Sequence, residues 1–193
     1  MVFIIGADTL PIAFKEKFAD TYYQGENMKK FLVCLLLAAT LVGVSCKSAP
    51  TASGAVIEGD VTQGKVNDAL NQIYNAYRSK LDLTGAQDYT VVSGDTLTQI
   101  TRKFYGSLTG VGSAGPNNGF YFPVIMLASG SKIVDPDLIE PGMKLKIPDL
   151  KKNLANSGSR KAIKDCLNDV SYVYNRKGDT STEKGLKNLA NSI

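Results

Sequence analysis

The sequence predicts an α+β protein, a small βααβ unit over residues 89–148 flanked by amphipathic helices and preceded by a leader and a tether. Three observations predict it. Two short β-type segments, at 89–92 and 143–147, bracket two helical stretches. Apolar residues recur at helical spacing on both sides of that unit, from Val66 and again from Ile163. Near the N-terminus, a basic pair, an apolar run and small residues before a cysteine form the pattern of an export signal.

The elements follow in order. Tyr89-Thr-Val-Val92 is aromatic and β-branched, as a short strand prefers. Ser93-Gly94 breaks it, and Asp95 or Thr96 can cap the next helix by accepting from its orphan N–H groups. Leu97, Ile100 and Phe104 then recur at i, i+3 and i+7, which gives that helix one apolar face. Gly106 is placed to end it in the left-handed conformation. A second short helix is predicted over 123–128, with Pro123 acceptable in its first turn. Pro141-Gly142 turns the chain into a strand over 143–147, where Met143, Leu145 and Ile147 alternate with Lys144 and Lys146. Such a unit has a very small core, so its packing must be specific.

The flanks read as helices. Val66, Leu70, Ile73, Tyr77 and Leu81 predict one within 61–84; Ile163, Cys166, Leu167, Val170 and Tyr174 predict another within 160–191. Each must bury an apolar face, most economically as an antiparallel pair packed on the βααβ unit; a partner protein is the alternative. Thr180-Ser-Thr-Glu183 has the form of a capping box for a last helix through Leu186, Leu189 and Ala190.

At the other end, Met28-Lys-Lys precedes an apolar run of 14 residues, 31–44, and then Ser45-Cys46. The run is short for a membrane span and suits a secretory signal over 28–45. Residues 1–27 sit awkwardly ahead of it and are expected to be a non-native extension, with Met28 the true start. Residues 46–60, rich in Ala, Ser, Thr, Pro and Gly, are expected to be a flexible tether. Cys34 lies in the signal, which leaves Cys166 as a lone thiol beside Cys46, read as a small buried hydrophobe.

Two resemblances give these elements a function. Tyr89-Thr-Val-Val-Ser-Gly-Asp-Thr-Leu97 and Asp135-Pro-Asp-Leu-Ile-Glu-Pro-Gly-Met-Lys-Leu-Lys-Ile-Pro148 together resemble the two ends of a LysM domain. That family has a βααβ fold and binds N-acetylglucosamine polymers, in bacteria chiefly peptidoglycan. The resemblance implies a shallow sugar groove between two loops, one with Gly94, Asp95, Thr96 and Leu97, the other with Asp135, Pro136, Asp137, Leu138 and Ile139. Against it, Leu97 and Ile139 read as core and Asp95 as a cap. The chain departs from the family pattern in Leu127-Ala-Ser129, where many members have Leu-Asn, and in a long connection over 106–120. That connection is either a floppy surface insertion or a lip that lends Phe120, Tyr121 or Phe122 to the groove; core packing is the commoner fate of such rings. Gly43-Val-Ser-Cys46 resembles a bacterial lipobox, although Leu is usual where Gly43 stands, and this implies acylation of Cys46, palmitate included. An ordinary signal with an incidental cysteine is the alternative.

Other chemistry finds little support. The chain has no histidine, which removes imidazole acid–base triads and zinc sites that need imidazole. No metal or other cofactor is implied. Gly110-Val-Gly-Ser-Ala-Gly115 matches a dinucleotide fingerprint in letters, but it follows a helix end and runs into Pro116 instead of opening a helix. Ser181-Thr-Glu-Lys184 has the SxxK form without its companion motifs. A glycosidase needs two carboxylates facing across a cleft, and Asp135-Pro-Asp137 already has a turn explanation. The net charge of +4 shows no basic stripe for nucleic acid. The expectation is a non-enzymatic envelope lipoprotein, lipid-anchored at Cys46 on the periplasmic or surface side, gripping peptidoglycan through 89–148. Its rivals are an adaptor whose flanking helices bind an envelope protein, and a cytoplasmic protein using the same fold for another ligand.

Overall fold

The computed structural model describes residues 51–110 and 112–193. The expected extension, the signal, Cys46 and the first residues of the tether lie outside them.

Helix α1 (Gln63–Tyr77) begins where the Thr62 side chain accepts from the Lys65 N–H, and it buries Val66, Ala69, Leu70, Ile73, Tyr74 and Tyr77. A 3₁₀ turn, Arg78–Lys80, leads on towards strand β1 (Gln87–Thr90). Helix α2 (Leu97–Tyr105) opens on a reciprocal capping box between Thr96 and Gln99, so Thr96 rather than Asp95 is the cap. Its buried face is Leu97, Ile100, Thr101 and Tyr105. Thr101 is tolerated there because its hydroxyl donates to the Leu97 carbonyl at 2.7 Å. Phe104, expected on that face, is only half-buried and meets Tyr89 edge-on at 5.6 Å.

Gly106 also departs from expectation. It keeps right-handed angles, φ −60° and ψ −31°. Its N–H still bonds the Arg102 carbonyl, and the Leu108 N–H takes that of Tyr105, so the helix unwinds through a turn instead of stopping at a left-handed residue. The connection that follows is ordered through a 3₁₀ turn, Gly115–Tyr121. Buried Asn118 pins it, donating to the Tyr105 carbonyl at 3.0 Å and accepting from the Ala114 N–H at 2.8 Å. The floppy reading is thereby corrected, and Tyr121 and Phe122 enter the core.

All eight residues of helix α3 (Phe122–Ser129) are buried. A helix without a polar face must be covered all round. Strand β2 (Lys144–Ile147) covers one side, pairing antiparallel with β1 so that Tyr89 stands opposite Leu145 and Thr90 opposite Lys144. Leu145 and Ile147 point inward and Lys144 and Lys146 outward, as the alternation predicts. Strand β1 lies two residues earlier than expected, because its ladder is set by β2. The other sides of α3 are covered by α1 and by helix α5 (Ser157–Lys177). The Tyr74 hydroxyl meets Met126 Sδ at 2.9 Å, and the Phe122 ring meets Tyr174 edge-on at 5.9 Å.

A short helix α4 (Leu150–Ala155), capped by Asp149, precedes α5 and has no counterpart in the sequence reading. Helices α1 and α5 run antiparallel: the Tyr77 hydroxyl meets Asp169, while three residues further on Lys80 C=O accepts from Ser159 near the start of α5. Cys166 is buried on the apolar face of α5 and forms no disulfide among the described residues. Helix α6 (Thr180–Asn191) is capped by Asp179, one residue before the expected Thr180. The Asp179 carboxylate takes the Ser181 and Thr182 N–H groups, and Glu183 pairs with Lys187 instead of closing a capping box.

The expected tether needs a second correction. From Thr51 onward the chain is pinned: Ala55 and Ile57 are buried, and the Ala52 and Ser53 N–H groups donate to the carboxylate of Asp169. Its polar composition favours a loose segment, but buried Ala55 and Ile57, the Asp169 carboxylate and the Tyr172 hydroxyl, which accepts from the Ile57 N–H at 3.0 Å, dock it.

Residues 89–148 by themselves are expected to lose fixed packing, because the surface of α3 that meets Tyr74 and Tyr174 would face water. The fragment should bind a hydrophobic dye and melt broadly where 51–193 melts sharply. A sharp, dye-free transition of the fragment would show that the sheet and α2 suffice.

Candidate functional site

Two loops meet at one end of the sheet, and each is shaped by its own turn chemistry. In the first, Gly94 takes φ +89°, a conformation that favours glycine. This lets the Asp95 carboxylate turn back, accepting from the Val92 N–H at 2.9 Å and the Tyr89 hydroxyl at 2.8 Å. Those two bonds hold Asp95 below the usual carboxylate range, and the same contact pushes the Tyr89 phenol up. In the second loop, Asp135 makes an Asx turn: its side chain accepts from the Asp137 N–H at 2.9 Å and its carbonyl from the Leu138 N–H.

Between the loops lies an open groove of about 200 Å³ lined by Asp95, Thr96, Leu97, Thr98, Phe122, Pro136, Asp137, Ile139 and Tyr174. The fold therefore brings together six of the nine residues singled out in the sequence. Gly94 shapes its turn without lining the groove. Asp135 is buried behind the loop, and Leu138 points outward, 63% exposed. Leu97 lines the groove while buried and Ile139 while half-buried, so both serve core and groove at once.

Three groove residues were missed. Thr98 read as the polar side of α2. Phe122, a candidate lip residue for which core packing is the commoner fate, is buried and also forms part of the floor. Tyr174 comes from α5, outside the βααβ unit, and sequence offered only its place on an apolar helix face. Its hydroxyl donates to Asp137 Oδ1 at 3.0 Å. Burial, reinforced by the negative charge of Asp137, pushes its phenol well up, so it remains a neutral donor through physiological pH.

Two larger hollows, of about 360 and 390 Å³, lie elsewhere. One is lined by Phe104, Tyr105 and Leu108, the other by Ala52, Asp169 and Tyr172. Neither lies between the paired loops. Among the described residues, no cluster of three metal-ligating side chains occurs, and no helix is long and apolar enough to cross a membrane.

A two-stranded antiparallel sheet, two short helices between its strands, and a groove between the strand-to-helix loop and the loop before the last strand define a small α+β binding module. Residues 89–148 match the family model of the LysM domain, and this stretch of the chain is a LysM domain. LysM domains as a class bind N-acetylglucosamine-containing glycans and are generally not catalytic. The match covers neither α1 nor α4 to α6. No curated protein and no solved structure matches the chain.

Proposed function

We propose that this protein is a non-catalytic lipoprotein of a bacterial cell envelope that binds peptidoglycan, or a related N-acetylglucosamine polymer, through its LysM groove. The observation that carries the reading is the convergence of the two LysM loops on one groove. Apolar Leu97, Ile139 and Phe122 can meet an acetyl methyl and a sugar face, while Thr96, Thr98 and Asp137 offer polar partners. An open groove of this size gives weak binding per site, so anchorage and a polymeric ligand supply the avidity. The anchor is acyl lipid on Cys46, motivated by the lipobox-like Gly43-Val-Ser-Cys46 after a short apolar run. The mechanism is bridging, lipid at one end and glycan at the other.

Sedimentation of 51–193 with insoluble peptidoglycan, competed by soluble N-acetylglucosamine oligomers, tests the glycan half. Thr98→Arg, which fills the groove from the half-exposed second residue of α2, is expected to weaken co-sedimentation tenfold or more, about 1.4 kcal/mol. Equal binding by this variant would show that glycan is not held in this groove. Mass spectrometry of the exported full chain tests the anchor: a mature N-terminus at any residue other than an acylated Cys46 rejects it. The second reading, an adaptor that uses its flanking helices, has less support now that α1 and α5 bury their apolar faces on α3 and on each other.

A further inference from the structure

The glycan loop over 135–139 is held largely by residues that lie outside the LysM domain. Asp135 is 3% exposed, and a carboxylate so buried needs donors and a cation close by. Its own domain supplies one donor, the Asp137 N–H. The others come from the flanking helices. Gln63, at the start of α1, donates Nε2 to Asp135 Oδ2 at 2.5 Å, and Lys177, at the end of α5, brings Nζ to 3.8 Å from Oδ1. Asp137, one wall of the groove, is held in the same way. Its two oxygens take the Tyr174 hydroxyl at 3.0 Å and Lys177 Nζ at 2.5 Å.

Lys177 is itself fixed. It sits in the last turn of α5, which closes on Gly178 at φ +82°, and its ammonium lies 4.9 Å from the centre of the Tyr174 ring. Its side chain is 19% exposed and that of Asp137 56%, so solvent screens the pair from the Asp137 side and its role is to fix geometry more than to add stability. Tyr174 goes further than the clamp, since it also lines the groove.

We propose that the functional glycan site is a composite of the LysM domain and helix α5, with Lys177 a positioning residue for the 135–139 loop and Tyr174 both a clamp and a wall of the groove. Without them the loop keeps its Asx turn but loses its fixed distance from the Thr96 loop. An ordered loop has less freedom to lose when sugar binds, so pre-ordering raises affinity without adding a ligand contact. This inference rests on the glycan reading above.

The test compares 51–193 with Lys177→Met, Lys177→Arg and Tyr174→Phe variants in peptidoglycan sedimentation, with amide hydrogen exchange and thermal unfolding measured alongside. Lys177→Met keeps the aliphatic stem and removes the charge. It is expected to weaken glycan binding about fivefold or more and to speed exchange at Asp137, Leu138 and Ile139; loss of the cation beside buried Asp135 also lowers the unfolding midpoint somewhat, while amides of the Thr96 loop keep their protection. Lys177→Arg should restore binding and exchange together. Tyr174→Phe should reproduce the weaker binding through loss of the hydroxyl alone. Lys161→Met, which breaks an exposed pair with Asp165 near the other end of α5, should change nothing. Wild-type binding with undiminished binding by both Lys177→Met and Tyr174→Phe overturns the composite site. So does a loss of binding matched by an equal loss of global stability and not restored by arginine. A wild-type chain that does not bind glycan rejects the underlying reading, and this inference with it.

Discussion

Replacing Asp169 by alanine should free residues 51–54 from the body of the protein and lower its unfolding free energy by about 3 kcal/mol. Asp169 lies in the middle of α5 with 3% exposure, where an unpartnered carboxylate would be costly. Three donors converge on it: the Ala52 N–H at 3.0 Å, the Ser53 N–H at 2.8 Å and the Tyr77 hydroxyl at 2.8 Å. Hydrogen bonds to a charged acceptor are the stronger kind, and alanine leaves the Tyr77 hydroxyl buried without its partner. Asp169→Asn keeps the shape but turns an NH₂ group towards a donor, so it should recover only part of the loss. Urea midpoints report the stability, and cleavage near Ala52 under limited proteolysis reports the release. If Asp169→Ala leaves both the midpoint and protection of the segment intact, the carboxylate is not what docks it.

Alkali is expected to unfold the protein cooperatively near pH 11. Tyr74, Tyr77, Tyr105, Tyr121 and Tyr174 are all buried, at 8% exposure or less. Burial is the first cause of an upward shift in each, with nearby carboxylates adding to it at Tyr74, Tyr77, Tyr105 and Tyr174. The folded state therefore favours the neutral phenol, with a folded pKa above the unfolded value of about 10. The stabilisation is fully present below pH 10 and is lost as pH rises beyond it, by about 1.4 kcal/mol per tyrosine per pH unit. Five tyrosines acting together reach on the order of 7 kcal/mol by pH 11, comparable with the whole stability of a small domain. The tyrosinate absorbance of the five buried phenols, separated by Tyr→Phe difference spectra, should change in one step with the far-ultraviolet circular dichroism. Buried phenols that titrate gradually around pH 10 while the dichroism holds would contradict this account.

Much of the local structure was legible because its causes are local. The alternation at 143–147, the helical spacings from Val66 and Ile163, and the Asx turn at Asp135-Pro-Asp137 each depend on neighbours a few residues away. Errors at element ends came from rival acceptors close together. Asp95 and Thr96 both suit a cap, but Asp95 is used up by Tyr89 and Val92; Asp179 precedes Thr180 and takes the N–H groups first. Six residues of α4 are too few to show a helical period.

Sequence by itself determined the α+β class, the LysM segment over 89–148, the amphipathic flanks and the two loops that face each other. Tertiary structure alone decided what those loops are fastened to. Tyr174 and Lys177 reach Asp137 across 37 and 40 positions, and Asp169 holds Ala52 across 117. Contacts at such separations leave no periodic trace in the chain. They arise because α3, buried on every side, obliges α1 and α5 to close over it, and that closure carries the end of α5 to the groove.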